Sequence, residues 1–376
     1  MALPPFIYID TPKAWEACLN NLERHDTVCI DLESNSLYVY KEEICLIQIS
    51  AGDTDYIVDP KADIDLTGLG KIVQDTAVEK VFHASEYDLI LLKKQFNWNV
   101  ANLFDTMWAA RILGVEKIGL ANILRNVFEV ELDKKFQTAD WGKRPLSPEM
   151  LAYAQNDTHY LHRLRDHFAA KLKEAGHWEE ALESFELQSR VNLPNSDFDP
   201  NHFWNFHGVK YLEPQNQAIC KALFAFREKE AEKFNRPLFK IFDNKRLVQM
   251  AEFPPTSMEQ LFKTKGLPGW YVRKRGPHLL RAIREGSHAP YPRRPKRDPK
   301  PAQDILDRYD AMLTWRKETA KARGVESDII LSKEGCWKIA KGNPSNLEDL
   351  APYGDIAGHW RIKTYGSHIL TTLASS

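Results

Sequence analysis

The chain has few cysteines and no paired-cysteine motif. Cys18, Cys29, Cys45, Cys220 and Cys336 are scattered over 376 residues, odd in number and without a C-x-x-C spacing. That pattern argues against a disulfide framework or a zinc site, and a reducing compartment fits it best. No run approaches the ~20 apolar residues of a membrane span. The start, MALPPFIYID, lacks the basic residues and long apolar run of a signal peptide. A cytoplasmic protein without a membrane partner is expected. An excess of either charge is also missing, since 51 Lys+Arg face 52 Asp+Glu, for a net charge of -1. Hydrophobic residues at 43% and charged ones at 27% exclude disordered and collagen-like classes. The length allows roughly two to four domains.

The neutral total conceals a segregation. Residues 1–210 carry 21 Lys+Arg against 33 Asp+Glu, and residues 211–286 carry 15 against 8. Residues 287–301 carry 5 against 1, and residues 302–376 carry 10 of each. An acidic module is followed by a basic arm of the kind a phosphate backbone attracts.

Residues 1–130 alternate strand-like and helix-like runs. PFIYID, TVCIDLES, EICLIQISA, DYIVDP and EKVFHAS read as strands. DLTGLGKIVQ, EYDLILLKKQF, FDTMWAARILG and LANILRNVFEV carry helical spacing. The first strands follow closely and are expected to form hairpins, while later ones alternate with helices. An α/β module with a mixed sheet flanked by helices is expected, with an all-α remainder.

The last 165 residues contain an internal repeat. At an offset of 89, Arg227 matches Arg316, Ala251 Ala340, Pro255 Pro344, Glu259 Glu348, Leu261 Leu350 and Gly269 Gly358. After one inserted residue, Gly276, His278 and Leu280 match Gly366, His368 and Leu370. Two copies of an ~80-residue helical domain are expected. The expected division is an α/β domain at 1–190, a linker at 191–210, one helical domain at 211–286, a Pro-rich basic linker at 287–301 and a second helical domain at 302–376.

Three carboxylate sites stand out. Alternation places Asp31 and Glu33 on one face of TVCIDLES, with Val28, Ile30 and Leu32 on the other. Two adjacent carboxylates become favourable when a hard cation such as Mg²⁺ or Mn²⁺ neutralises them, and an edge-strand pair in solvent is the plain alternative. Asp88 follows Ser85 by three residues, which a capping box alone would explain. His83, just before it, reads equally as a satisfied strand-end histidine. Asp157 falls on the apolar stripe of a helix started by Ser147 and Pro148, where an unpaired carboxylate is costly. Tyr153 lies four residues earlier, so its hydroxyl falls near Asp157. Four carboxylates balance about two divalent cations, which can bind the attacking and leaving oxygens of a phosphodiester.

The set Asp31-x-Glu33, Asp88 and Tyr153 with Asp157 resembles the three motifs of DEDD 3′–5′ exonucleases, in the tyrosine variant because Ala152 stands where the histidine variant has His. The repeated helical module resembles the HRDC domain. Together they resemble the bacterial ribonuclease D family over nearly the whole chain. The resemblance implies an RNase H-like exonuclease domain followed by two HRDC-like domains. It implies an enzyme, with Asp31, Glu33, Asp88 and Asp157 as metal ligands and Tyr153 positioning water. The expected cofactor is a pair of Mg or Mn ions. The expected partner is RNA with a single-stranded 3′ end, tRNA precursors in particular, releasing nucleoside 5′-monophosphates from a monomeric enzyme. His83, Gln48, Trp141 and Arg144 sit in or beside family-like segments and are candidate substrate contacts. Lys263, Lys265, Arg273, Lys274 and Arg275 are candidates in the first helical copy. YVRKR there becomes WRIKTY in the second copy, which puts RNA binding by the second in doubt and packing on another domain in its place. A DNA-directed exonuclease and a non-catalytic RNA-binding protein are the alternatives.

Overall fold

The computed structural model describes residues 3–193, 197–296 and 299–376. Pro194, Asn195 and Ser196 of the 191–210 linker, and Arg297 and Asp298 of the 287–301 linker, lie outside the described residues. The chain divides into two compact units. The first comprises residues 1–34, 44–193 and 300–376, and the second residues 35–43 and 194–299.

The first unit is built on a six-stranded mixed sheet in the order β1-β4-β3-β2-β5-β6. The strands are β1 (Ile7–Ile9), β2 (Thr27–Ser34), β3 (Ile44–Ala51), β4 (Thr54–Val58), β5 (Glu79–Phe82) and β6 (Leu103–Asp105). Pairs β2/β3 and β3/β4 are antiparallel hairpins, as expected from their short connections. β1 departs from that expectation. Helix α1 (Pro12–Leu22) separates it from β2, and it pairs in parallel with β4. Thr11 caps α1 and Pro12 occupies its first turn, a start signal that the strand reading passed over.

Helices α2 (Thr67–Gln74), α3 (Glu86–Phe96), α4 (Thr106–Ile112), α5 (Leu120–Phe128), α6 (Pro148–His159), α7 (Leu161–Glu174) and α8 (Trp178–Ser189) complete the α/β domain. β3 is buried along its whole length, as a central strand demands. α6 packs on β2, β3 and β4, while α7 packs on β2 and β5. α6 starts where the sequence places it, with Ser147 Oγ accepting from Met150 N at 3.3 Å.

The first helical copy contains α9 (Pro214–Lys233), α10 (Leu238–Ile241), α11 (Asn244–Glu252), α12 (Met258–Lys263) and α13 (Gly269–His288). The second contains α14 (Gln303–Arg323), α15 (Ser327–Ile330), α16 (Lys333–Gly342), α17 (Leu347–Leu350), α18 (Gly354–Ala357) and α19 (His359–Ala374). Positions 271, 272, 276 and 279 of α13 are buried, as are 361, 362, 366 and 369 of α19. The helices therefore align at an offset of 90. Pro268 and Gly358 are the matching N-caps, so the inserted residue precedes Gly358 rather than following it.

The second copy belongs to the same unit as the α/β domain, and ion pairs, two of them largely buried, join them. Glu180 of α8 is fully buried and accepts from both Arg323 nitrogens, NH1 to Oε1 at 2.7 Å and NH2 to Oε2 at 2.6 Å. Arg361 donates to Glu183 at 2.7 Å and to Ser184 Oγ at 2.9 Å. Arg111 donates twice to Asp328 at 2.7 Å. Breaking a buried pair strands a charge in low dielectric. Arg323→Ala is expected to cost about 3 kcal/mol, read by urea denaturation, whereas Lys341→Ala on the exposed face of α16 should change nothing measurable.

Candidate active site

β2 lies between β3 and β5 at the centre of the sheet. It carries Asp31 and Glu33 toward one cavity of about 380 Å³, whose walls also include His83, Tyr153 and Asp157. The ladder between β2 and β3 shifts register immediately after Glu33. Such irregularities end pairing and re-aim side chains at functional sites. Asp88 stands at the third position of α3 and is 7% exposed. Ser85 does not cap α3 with its side chain; its Oγ donates instead to Asp105 at 2.8 Å. The capping-box explanation for Asp88 therefore fails.

The four carboxylates act on one another. Burial raises all four, and neighbouring charges add to that for three of them. Glu33 is pushed up to about 10 by burial, then by Asp31, Asp157 and Asp88. Asp88 is raised by burial, then by Asp31, Asp105 and Asp157. Asp157 is raised by burial and by Asp31. Asp31 is raised to about 7 by burial. Tyr153 is held protonated by burial and by the Asp157 charge. Among the described residues, no hydrogen-bonding side chain or cation partners any of these four carboxylates. Nor do three His, Cys, Asp or Glu side chains converge closely enough to enclose an ion as they stand. Mutual repulsion opposes a tighter grouping. All-oxygen donors of matching charge, desolvated and unpartnered, fit hard divalent cations.

Two polar networks that the sequence reading missed fix these side chains. Asp105 is fully buried and accepts from Ala84 N (3.1 Å), Ser85 N (2.8 Å), Met107 N (2.8 Å) and Trp108 N (3.2 Å), besides Ser85 Oγ. It therefore secures the corner between β5 and α3, where Ala84 adopts a left-handed φ of 62°. Asp55 is 3% exposed. It accepts from Ser50 Oγ (2.6 Å) and Gln155 Nε2 (2.6 Å) and lies 2.7 Å from His159 Nδ1. Burial alone would raise Asp55, but His159, Ser50 and Gln155 hold it below the usual carboxylate range. Gln155 and His159 flank Asp157, so this network sets the rotation of α6. In the sequence Asp55 sits inside a strand-like run and Asp105 at a helix start. Only the fold shows that both are buried.

The candidate substrate contacts divide. His83 lines the cavity, with Nδ1 2.9 Å from Thr106 Oγ1, and burial keeps its pKa below the usual value. Trp141 is 1% exposed and stacks at a tilt on Tyr153, ring centroids 6.1 Å apart. Arg144 is tied to Asp59 through Nε at 2.6 Å and to the Cys45 carbonyl at 2.6 Å. Gln48 pairs across the ladder with Asp31, is fully buried, and has no partner for either amide atom. Trp141 and Gln48 are buried, and Arg144 is held by Asp59 and the Cys45 carbonyl, which places these three side chains behind the site. In the first HRDC copy Arg275 is bound to buried Glu230, Nε to Oε2 at 2.6 Å, and Lys263 to Glu259 at 2.5 Å. Arg275 is therefore an internal contact. Lys263 and Lys265 line an open groove of about 600 Å³, and Arg273 and Lys274 are exposed.

A family model described as a 3′–5′ exonuclease matches residues 6–173, and one described as the HRDC domain matches residues 216–283 and 305–373. A ribonuclease D of Sphingobium indicum is 32% identical over 349 residues, covering 90% of this chain and 87% of that one. A ribonuclease D of Acidiphilium cryptum is 26% identical, covering 98% of this chain and 93% of that one. The crystal structure of Escherichia coli RNase D shares the fold, with a TM-score of 0.70 at 20% identity over 99% of both chains. Fold and sequence together define a 3′–5′ exoribonuclease with tandem HRDC domains. The chain belongs to the ribonuclease D family.

Three outcomes are expected for stability. Asp105→Ala leaves buried amides at the β5–α3 corner without an acceptor and should cost at least about 3 kcal/mol, measured by chemical denaturation. Asp31→Asn should raise metal-free stability by roughly 1 kcal/mol, because it relieves like-charge repulsion. The wild type should also lose stability as pH rises from about 4 to about 7, since the folded state keeps a proton on Asp31 that the unfolded chain releases. That slope should shrink in Asp31→Asn, and an unchanged slope would contradict the assignment.

Proposed function

We propose that the chain trims structured RNA precursors, tRNA precursors among them, from a single-stranded 3′ end, releasing nucleoside 5′-monophosphates. The observation that carries this reading is the gathering of unpartnered Asp31, Glu33 and Asp157 with Tyr153 around one cavity, with buried Asp88 within electrostatic reach of all three carboxylates. Asp31, Glu33, Asp88 and Asp157 would hold two divalent cations, Mg or Mn. When bound, such ions neutralise phosphate charge and activate water near neutral pH. The protein's own part is placement. Tyr153, kept protonated, orients the attacking water through its hydroxyl and does not act as a base. Trp141 and Phe136 pack against its ring and fix its direction. His83 borders the cavity where the terminal nucleotide would lie and serves as a substrate contact. The first HRDC copy captures the RNA body. The enzyme works in the cytoplasm as a monomer.

The test is a timed digest of 3′-tailed tRNA and of single-stranded DNA of equal length, with Mg²⁺ or Mn²⁺. Wild type should shorten the RNA stepwise from the 3′ end. Asp157→Asn should abolish digestion, Tyr153→Phe should lower kcat by ~10²-fold through lost positioning, and chelation should stop the reaction. Undiminished activity in Asp157→Asn would refute the site, and equal hydrolysis of DNA would refute the ribose preference.

A further inference from the structure

Packing alone does not account for the burial of Gln48. It stands on β3 opposite Asp31 of β2 and opposite Ile57 of β4, and its side chain is fully buried. Residues paired across an antiparallel ladder share a face, with Cβ atoms roughly 4.5–5.5 Å apart. Gln48 therefore stands beside Asp31 on the face that α6 covers. Burying a primary amide without hydrogen bonds is costly, yet neither amide atom of Gln48 has a partner. Its neighbours along and across the sheet cannot supply one. Leu46 and Ile57 are apolar, and Ser50 Oγ is engaged by Asp55 at 2.6 Å and by Thr158 Oγ1 at 2.8 Å.

A further orphan belongs to the same surroundings. Trp141 packs in one cluster with Leu46, Ile57 and Ala154, and its buried Nε1–H has no acceptor. An indole N–H only donates, and an ionised carboxylate only accepts. A glutamine amide does both, so it can join the two in one sense alone. Its Oε1 accepts from Trp141 Nε1–H, and its Nε2–H donates to Asp31. That single arrangement gives a partner to each orphaned atom of Gln48 and Trp141, and it ends on a group that carries charge.

We infer that Gln48 is a positioning residue for Asp31. With divalent ions bound, Trp141 Nε1–H, the Gln48 amide and the Asp31 carboxylate form one hydrogen-bonded chain, which fixes the rotation of the carboxylate toward the ions. Partners of this kind orient a ligand and raise metal affinity. The same indole packs on Tyr153, ring centroids 6.1 Å apart. One buried side chain thus braces the hydroxyl that orients water and, through Gln48, a metal ligand on another element. The inference deepens the two-ion reading of the site and rests on it.

Mn²⁺ is added to the full chain without RNA, and binding is read from the electron paramagnetic resonance of the free ion. Gln48→Leu has nearly the same shape. It should keep or raise the melting temperature in EDTA, because apolar atoms replace an orphaned amide, yet weaken Mn²⁺ binding by roughly 10- to 100-fold. A merely structural glutamine would leave the metal affinity unmoved. Trp141→Phe keeps a ring against Tyr153 and should weaken binding in the same direction, with no further loss when combined with Gln48→Leu. In the indole N–H region of the NMR spectrum, the Trp141 signal is identified by its absence from Trp141→Phe. It should move downfield at saturating Mg²⁺ in the wild type and stay in place in Gln48→Leu. If Gln48→Leu does not fold, Gln48→Met carries the same test. Wild-type Mn²⁺ affinity in a Gln48→Leu protein of normal melting temperature would overturn the inference and leave the two-ion site standing, and an indole signal that ignores Mg²⁺ would overturn the chain through Trp141. A wild type that binds no Mn²⁺ would refute the two-ion reading and this inference with it.

Discussion

Four carboxylates held near one another against their own repulsion are the constraint around which the catalytic domain is arranged. Each comes from an element that could not relax without disturbing something larger. Asp31 and Glu33 ride on β2, which is hydrogen-bonded on both sides in the sheet centre. Asp88 rides on α3, whose first turn is fixed through Asp105. Asp157 rides on α6, whose rotation is set by Asp55. The destabilised cluster is thus surrounded by satisfied polar networks and a buried central strand. This is the usual trade of stability for a preorganised site.

Much of this was legible in the sequence, and the limits have physical causes. The strand and helix periods were clear because each element buries one face; Asp157 stood out because it falls on a stripe that should be apolar, and Asp31 with Glu33 because two carboxylates share one face of a strand. Asp88 was ambiguous, since a capping box and a buried ligand share the Ser-x-x-Asp spacing; only the diversion of Ser85 to Asp105 separates them. α1 was overlooked because its apolar positions, Trp15, Cys18 and Leu22, are few and its surface is polar. Trp141 and Arg144 sat in the right segment, but sequence cannot tell a side chain facing substrate from one bracing the residue that does. Asp55 and Asp105 gave no local signal, because their partners lie on other elements.

The repeat shows how one helical module can serve two ends. Both copies bury the same helix positions and so keep the same core. Their surfaces have diverged at the turn between the first two helices and at the start of the last. In the first copy the Arg275 charge is neutralised within the domain by Glu230. In the second, Tyr365 takes that position and Arg323 reaches outward to Glu180. A few changes from self-satisfied to outward-facing charge are enough to fix the second copy to the exonuclease domain.

The burial of Glu180 beneath Arg323 also bears on where this enzyme can be cut. α8 packs on β6 and α4, with Phe185 against Phe104 at 4.7 Å, so its apolar side is part of the catalytic core. Its other side carries a carboxylate that water does not reach in the intact chain. A fragment ending after α8 would display that acidic ridge to solvent without its counter-ions, and one ending before α8 would open the core. A fragment that keeps these ion pairs is therefore discontinuous along the chain. It needs the C-terminal 75 or so residues more than the roughly 100 that precede them, so a shortened enzyme should be made by deleting the middle rather than the end.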